Sequence, residues 1–269
     1  MTTGAQVTGR PGRYDLGLAG RVVLVTGGAR GVGLGIVAAL ADFGATPVAC
    51  ARHSSDELES VSAATFLPCD VRDEDAVAAT LARIVETHGR IDGVINNAGG
   101  SPFALAADAS PRFASKIVEL NLLAPLIVAR AAQAVMRGQE SGGAIVNISS
   151  VSGHRASPGT SAYGAAKAGL DSLTTSLAVE WAPRVRVNSI VAGPVETEQA
   201  HLHYGDDAGI AAVGRTIPMG RMARPADVGA AAAFLLSPLA GYITGATLTV
   251  HGGGELPAFL AAANAGNDV

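Results

Sequence analysis

Seven short apolar runs, rich in β-branched residues, punctuate the chain at 21–26, 46–51, 65–68, 91–96, 143–150, 185–191 and 247–250. Runs with little polar alternation mark strands covered on both faces, as in a parallel sheet. Between them the apolar positions recur with helical period. Leu34, Val37, Ala38, Leu40 and Ala41 form one such face, and Ala76, Val77, Thr80, Leu81, Ile84 and Val85 form a second within 73–88. Further helices are predicted over 111–136, over the segment carrying Tyr163, Leu170, Leu173, Leu177 and Trp181, and over 225–236. Strands and helices alternating in this way predict an α/β fold, a doubly wound parallel sheet of about seven strands between two helical layers. Residues 198–216 lack a sustained period and contain three glycines, which predicts a mobile flap. Within it, His201, His203 and Tyr204 are read as solvated loop surface, with substrate contact as the alternative.

Composition narrows the organisation. The 269 residues are 48% hydrophobic and 16% charged with no internal break, which fits one core over 18–254, a loosely ordered tail over 1–17 and an appendage over 255–269. The net charge of −4 and the absence of a basic run argue against nucleic acid and membrane surfaces, leaving small molecules as partners. Cys50 and Cys69 have no metal-ligand or disulfide spacing, so no metal site is expected and a reducing cytoplasm is. The N-terminal segment lacks the apolar core of a secretory signal. The most apolar stretch, 229–236, is too short to span a bilayer, so no membrane segment is expected.

The strand ends carry the candidate chemistry, because ligands of doubly wound sheets bind beyond the carboxyl ends of the strands. The first run closes in Thr26-Gly27-Gly28-Ala29-Arg30-Gly31-Val32-Gly33 and passes into a helix. Gly27 permits the turn, Gly31 lets the backbone approach a pyrophosphate, and Gly33 lets helix and strand pack closely. The free N–H groups of the first helical turn then face the anion. The second run ends in Cys50-Ala51-Arg52-His53, with no carboxylate before Asp56. An acidic side chain there would take the ribose hydroxyls of NAD; Arg52 suits a 2′-phosphate, and Arg30 either joins that pocket or is a solvated loop charge. NADP(H) is therefore favoured and NAD(H) stays open. In the loop Cys69-Asp70-Val71, Asp70 either accepts the adenine amino group or caps the following helix. Asn96-Asn97-Ala98-Gly99-Gly100 offers amides for a turn and small residues beside which a flat ligand lies close to the backbone. Asn121, amid apolar neighbours in a helix, needs a hydrogen-bonding reason such as an ordered water or nearby backbone.

The chain has only two lysines, Lys116 and Lys167, against seventeen arginines. Lys167 follows Tyr163 by four residues, so on a helix the phenol and the ammonium share a face. A cation there is expected to lower the phenol into the range of a general acid/base. Ser150 lies thirteen residues before the tyrosine, at the end of a strand, while Ser149 points to the other face and is expected to be structural.

Taken together, Thr26-Gly-x-x-x-Gly-x-Gly33, Asn96-Asn-Ala-Gly99, Ser150 with Tyr163-x-x-x-Lys167, and the strand end 188–197 resemble the short-chain dehydrogenase/reductase family over about residues 18–254. The resemblance implies sheet order 3-2-1-4-5-6-7 and a homotetramer or homodimer built on the Asn121 and Tyr163 helices. It implies reversible oxidoreduction of a ketone and a secondary alcohol. Ser150, Tyr163 and Lys167 would form the catalytic triplet, with Asn121 as fourth member holding a water. The cofactor would be held by Gly27, Arg30, Gly31, Val32 and Gly33, by Arg52, Asp70 and Val71, by Asn97, Ala98 and Gly99, and by Tyr163, Lys167, Val195 and Thr197. The substrate would meet Ser152, His154, Arg155, residues 101–103 and the flap. The alternatives are an NAD-dependent alcohol dehydrogenase of the same family and a non-catalytic dinucleotide-binding sensor or scaffold.

Three features depart from the family pattern. Ala192-Gly193-Pro194 replaces the usual Pro-Gly after the sixth strand, although Val195 would still offer backbone groups to the carboxamide. His251-Gly252-Gly253 replaces Asp-Gly-Gly, which puts local hydrogen bonding in doubt. The segment 256–263, past Gly254, would reach a neighbouring subunit's pocket.

Overall fold

The computed structural model describes residues 15–262. In chain order the elements are β1 (Val22–Thr26), α1 (Gly31–Asp42), β2 (Thr46–Ala51), the single turn α2 (Asp56–Glu59), β3 (Thr65–Pro68), α3 (Glu74–His88) and β4 (Gly93–Asn96). Then come α4 (Pro111–Val118), a π-helical turn (Glu119–Leu123), α5 (Ala124–Met136), β5 (Gly143–Ser150), a 3-10 turn (Val151–Gly153), α6 (Ser161–Trp181) and β6 (Val185–Ala192). The chain continues through α7 (His201–Tyr204), α8 (Asp207–Arg215), α9 (Pro225–Leu236), a 3-10 turn (Pro238–Ala240), β7 (Thr247–Val250) and α10 (Ala258–Ala262).

All seven strands form one parallel sheet in the order β3-β2-β1-β4-β5-β6-β7, the doubly wound order expected. Alternate residues of each strand feed two cores, because successive side chains leave opposite faces of a pleated strand. Val23, Val25, Ala49, Ile95, Val146 and Ile190 pack with Ile36, Val37 and Leu40 of α1 and Val228, Ala232 and Leu235 of α9. Val22, Leu24, Val48, Val94, Ile145 and Val187 pack with Val77, Leu81 and Ile84 of α3, Val128 and Ala132 of α5, and Leu177 of α6.

The structure corrects four expectations drawn from pattern alone. The fourth strand starts at Gly93, two residues late, because Asp92 turns its carboxylate to the Val22 N–H at 2.9 Å and to Arg21 and Arg90. The helix over 111–136 is interrupted by the π turn that carries Asn121. That same stretch, at a mean hydropathy of 1.4, is long and apolar enough by length and composition to cross a membrane, and Val128, Ala132 and Met136 within it are covered in the core. The flap is not irregular: α7 and α8 fold within it, α8 starting where the Asp206 side chain accepts from Gly209 N–H at 3.0 Å. Most of the N-terminal tail and residues 263–269 lie outside the described residues. At the start of the segment 256–263, Leu256 N–H donates to Thr216 O at 2.7 Å.

Candidate active site

A cleft of about 970 Å³ opens at the carboxyl ends of the strands, across β1 and β4, where the strand order reverses. One end is built by the glycine loop. β1 stops at Thr26, whose hydroxyl accepts from the N–H groups of Asn97 and Ala98 at 3.0 Å each, so the loops after β1 and β4 are tied together. Asn97 completes the tie by donating its amide to Thr26 O at 3.0 Å. Gly27 turns through φ 64°, and a Cβ on Gly33 would sit 2.2 Å from Gly27 O, so only glycine lets α1 begin this close to the strand. This cradle, at the N-terminus of a twelve-residue helix, fits the pyrophosphate of a dinucleotide.

Arg30 and Arg52, both exposed, line this end of the cleft with Ser54, Ser55, Asp70 and Val71. Of the two alternatives for Asp70, capping is excluded: α3 is capped by Asp73, whose side chain accepts from Asp75 and Ala76. Asp70 instead forms a two-pronged ion pair with Arg72 at 2.9 and 2.6 Å, which holds its carboxyl at about 2. Arg72 also lines the cleft and was missed; its signal is the Asp-x-Arg spacing directly after a strand end.

At the other end stand Ser150, Tyr163 and Lys167, all lining the cleft. Ser150 closes β5, and its Oγ accepts from Ser152 N–H at 3.2 Å as the chain turns. Tyr163 and Lys167 share one face of α6, with the lysine Nζ 5.6 Å from the phenol ring centroid. Lys167 is 3% exposed and donates to Ile148 O at 2.7 Å. Burial pushes its ammonium down to about 8, while Asp171 pulls it back up. The phenol is not lowered as expected. Burial drives it above its ordinary value, the Ser150 hydroxyl opposes this, and Tyr204 adds to it. The desolvation of the phenolate outweighs its neighbours here, and the one hydrogen bond that the three-donor ammonium makes goes to Ile148 O.

Asn121 does not line the cleft. It is fully buried one layer behind it, with its amide bonded to Gly100 and to Ile117 O. Backbone bonding, one of the two reasons foreseen for it, is the one its side chain serves. Ser149 also borders the cleft, but its hydroxyl donates to Asp171 at 2.7 Å.

The substrate side differs in detail from expectation. Ser101, Ser152 and Arg155 line the cleft, but His154 turns its Nε2 to Asp171 at 2.9 Å, and Phe103 lies against Gly159, 70% exposed. From the flap, His203 and Tyr204 reach the cleft while His201 faces outward with Nδ1 3.0 Å from Glu198 O. Arg155 pairs with Glu255 at 2.7 Å, closing the C-terminal segment over this rim. Val195 and Thr197 line the cleft between the two ends. Despite Ala192, the turn leaves Val195 its backbone groups: its bridge to Ala223 uses Pro194 O and Glu196 N–H. At His251, the backbone O accepts from Gly254 N–H at 3.1 Å as the chain leaves β7.

Residues 27–255 match the family model described as enoyl-(acyl carrier protein) reductase. A short-chain type dehydrogenase/reductase of Sinorhizobium fredii is 38% identical over 241 residues, covering 87% of this chain; the chain spans 43% of that longer relative. L-fucose dehydrogenase of Oryctolagus cuniculus is 39% identical over 247 residues, 88% of this chain and 86% of that one. The ligand-free structure of Thermoplasma acidophilum aldohexose dehydrogenase superposes with a TM-score of 0.83, with 28% identity over 95% of this chain and all of that one. The glycine cradle, the strand order and these likenesses converge: the chain belongs to the short-chain dehydrogenase/reductase family of NAD(P)-dependent oxidoreductases acting on CH–OH groups.

Proposed function

We propose that the protein interconverts a ketone and a secondary alcohol with NADP(H), Tyr163 acting as general acid/base. The observation that carries this reading is the placement of Ser150, Tyr163 and Lys167 on one wall of the cleft whose other end is the glycine cradle. When bound, the nicotinamide supplies or takes the hydride at the carbinol carbon. Tyr163 gives its Oη proton to the oxygen of the carbonyl in reduction and recovers it in oxidation. Ser150 donates to the same oxygen and fixes its position, and Lys167 holds positive charge beside the phenol as it ionises. A phenol kept protonated by burial is the acid of the reductive direction. Asn121 would act as the fourth member, its side-chain amide fixing the wall at Gly100 and the water that the family resemblance implies held beside it.

The cofactor phosphates would be held by Gly27, Gly31, Val32 and Gly33, and the adenosine end by Arg30, Arg52, Asp70 and Val71. Asn97, Ala98, Gly99, Val195 and Thr197 would frame the nicotinamide half. Preference for NADP(H) over NAD(H) is supported by two arginines and no acidic side chain at the end of β2. A purely binding or scaffolding role is disfavoured by the retained hydroxyl pair and lysine. Cytoplasmic residence is supported by Cys50 and Cys69, both unpaired, and assembly through the α4–α5 and α6 faces by exposed Leu123 and Val179.

Among substrates, a hydroxylated carbonyl compound of the sugar class fits best. Ser101, Ser152, Ser157 and Thr160 bring hydroxyls to the cleft, and Gln199, His203 and Tyr204 add polar groups. The names of the rabbit and Thermoplasma relatives point the same way. The experiment is turnover of NADPH or NADP⁺ against matched panels of sugar, steroid and acyl-thioester carbonyls and alcohols, with wild type and Tyr163→Phe. Tyr163→Phe is expected to abolish turnover while binding NADPH as wild type does. Residual turnover above about a hundredth of wild type would overturn the role of the phenol.

A further inference from the structure

Beyond Lys167, on the side away from the phenol, lies a buried carboxylate that the reaction just described does not use. Asp171 follows the lysine by four residues on α6, so the two share a helix face one turn apart. Both are buried, at 8% and 3% exposure. Three elements converge on the carboxylate. Ser149 Oγ of β5 donates to Oδ2 at 2.7 Å, Ser189 Oγ of β6 donates to Oδ1 at 2.5 Å, and His154 Nε2, from the turn after β5, lies 2.9 Å from Oδ2. The two serine hydroxyls, and the His154 ring in the tautomer that carries its proton on Nε2, give this carboxylate donors from three directions. Filling this space with an acid and two serines is a poor packing choice, since apolar residues of similar volume serve as well or better. Lys167 meanwhile is buried with one side-chain hydrogen bond, to Ile148 O.

We propose that Asp171 is a positioning residue for the reaction: a fixed counter-charge that keeps Lys167 an ammonium in the cleft wall and thereby sets the electrostatic surroundings of Tyr163. The inference rests on the acid/base reading above. The ionisable groups around the lysine are Tyr163 and Asp171 on its own helix, with His154 facing Asp171 from the turn after β5. β5, β6 and the π turn contribute the neutral groups of Ile148, Ser149, Ser189 and Asn121. The opposed effects on Lys167, burial downward and Asp171 upward, agree with this geometry.

The two-lysine composition makes the test direct. Protein labelled with ¹³Cε-lysine carries two signals, and Lys116→Arg on exposed α4 leaves only that of Lys167. In that background the Lys167 signal is expected to titrate near 8, and Asp171→Asn is expected to lower the midpoint by about one unit or more, a tenfold change in the ammonium-to-amine ratio. Ser189→Ala, which keeps the charge and removes one donor, is expected to shift it by much less. An unmoved midpoint in Asp171→Asn overturns the proposal, as does an equal shift in Ser189→Ala, which would make the effect one of packing. If Asp171→Asn does not fold, the parent background still decides: a midpoint below about 7 means Asp171 does not hold the charge. None of these readings needs turnover, so failure here is distinct from failure of Tyr163→Phe. With a substrate in hand, Asp171→Asn is also expected to lose kcat at a lower alkaline pH than wild type.

Discussion

The side-chain amide of Asn121 pairs with the backbone of Gly100 in both senses: Oδ1 accepts from Gly100 N–H and Nδ2 donates to Gly100 O, each at 2.9 Å. The π turn brings this amide to bear on the loop after β4, which forms the cleft wall beside Lys167. A Cβ added at Gly99 would stand 2.6 Å from Asn121 Oδ1 and 3.4 Å from Lys167 Nζ, so the loop, the amide and the lysine are packed as one unit.

Breaking that pairing from either side is expected to have one consequence. Asn121→Ala removes both hydrogen bonds to Gly100, at a cost of about 2 kcal/mol in urea unfolding, and lowers kcat by moving the wall. Gly99→Ala forces the amide out by steric contact. Because both act on one contact, the double variant is expected to cost much less than the sum of the singles. Additive losses would show that Gly99 and Asn121 act separately.

Much of this site is legible in the sequence because its anchors are local. β2, β3, β5, β7 and α9 start and stop where apolar runs meet Gly, Pro, Arg or Ser, and the glycine loop is fixed by steric rules that act within a few residues. What escapes the sequence is tertiary. A π turn inserts one extra residue per turn without altering composition, so 111–136 reads as one helix although Asn121 is re-aimed by it. The raised phenol of Tyr163 reflects burial by elements distant in sequence, which the spacing to Lys167 does not record. The α8 start was in principle readable, since Asp206 followed three residues later by Gly209 is a capping pattern hidden by the surrounding glycines.

Lys167 is costly to the fold, and its removal is expected to show this. The unfolded chain keeps the ammonium to its ordinary 10.5, the folded chain only to about 8. Below pH 8 both states are protonated and the folded protein bears the full burial cost, about 3 kcal/mol; between 8 and 10.5 the unfolded state binds more protons, so stability rises with pH; above 10.5 the cost is gone. Lys167→Met, which also gives up the bond to Ile148 O at about 1 kcal/mol, is expected to gain about 2 kcal/mol at pH 7 and nothing near pH 10.5, while losing turnover. Urea unfolding of both proteins across this range measures it, and a variant less stable than wild type at pH 7 would contradict it.

Cofactor choice is expected to turn on Arg52. It stands exposed at the end of β2, close enough for Asp70 to feel its charge. Arg52→Asp replaces a partner for a 2′-phosphate by one for ribose hydroxyls and repels the phosphate. The expected outcome is a rise of about tenfold or more in KM for NADPH and a fall in KM for NADH, with kcat little changed, because a charge-assisted bond contributes about 1.5–3 kcal/mol. A wild type that already prefers NADH would refute the arginine argument.

Arg186 provides a test of the scaffold apart from the chemistry. It leaves β6 and donates Nη1 to Leu235 O at 2.8 Å and to Ile243 O at 3.2 Å, and Nη2 to Ser237 O at 3.3 Å and Leu236 O at 3.4 Å. A guanidinium at this place satisfies the last carbonyls of α9 and sits at the negative end of its dipole. Since α9 shares a core with α1, the helix behind the glycine cradle, loosening its C-terminus weakens the layer without touching the cleft. Arg186→Met keeps the stem and deletes the donors, with an expected cost of about 3 kcal/mol in urea unfolding. At a temperature where the variant stays folded, kcat and the KM for the cofactor are expected to equal those of wild type. A loss of cofactor affinity without a loss of stability would mean that Arg186 communicates with the cradle by a route other than the packing of α9 on α1.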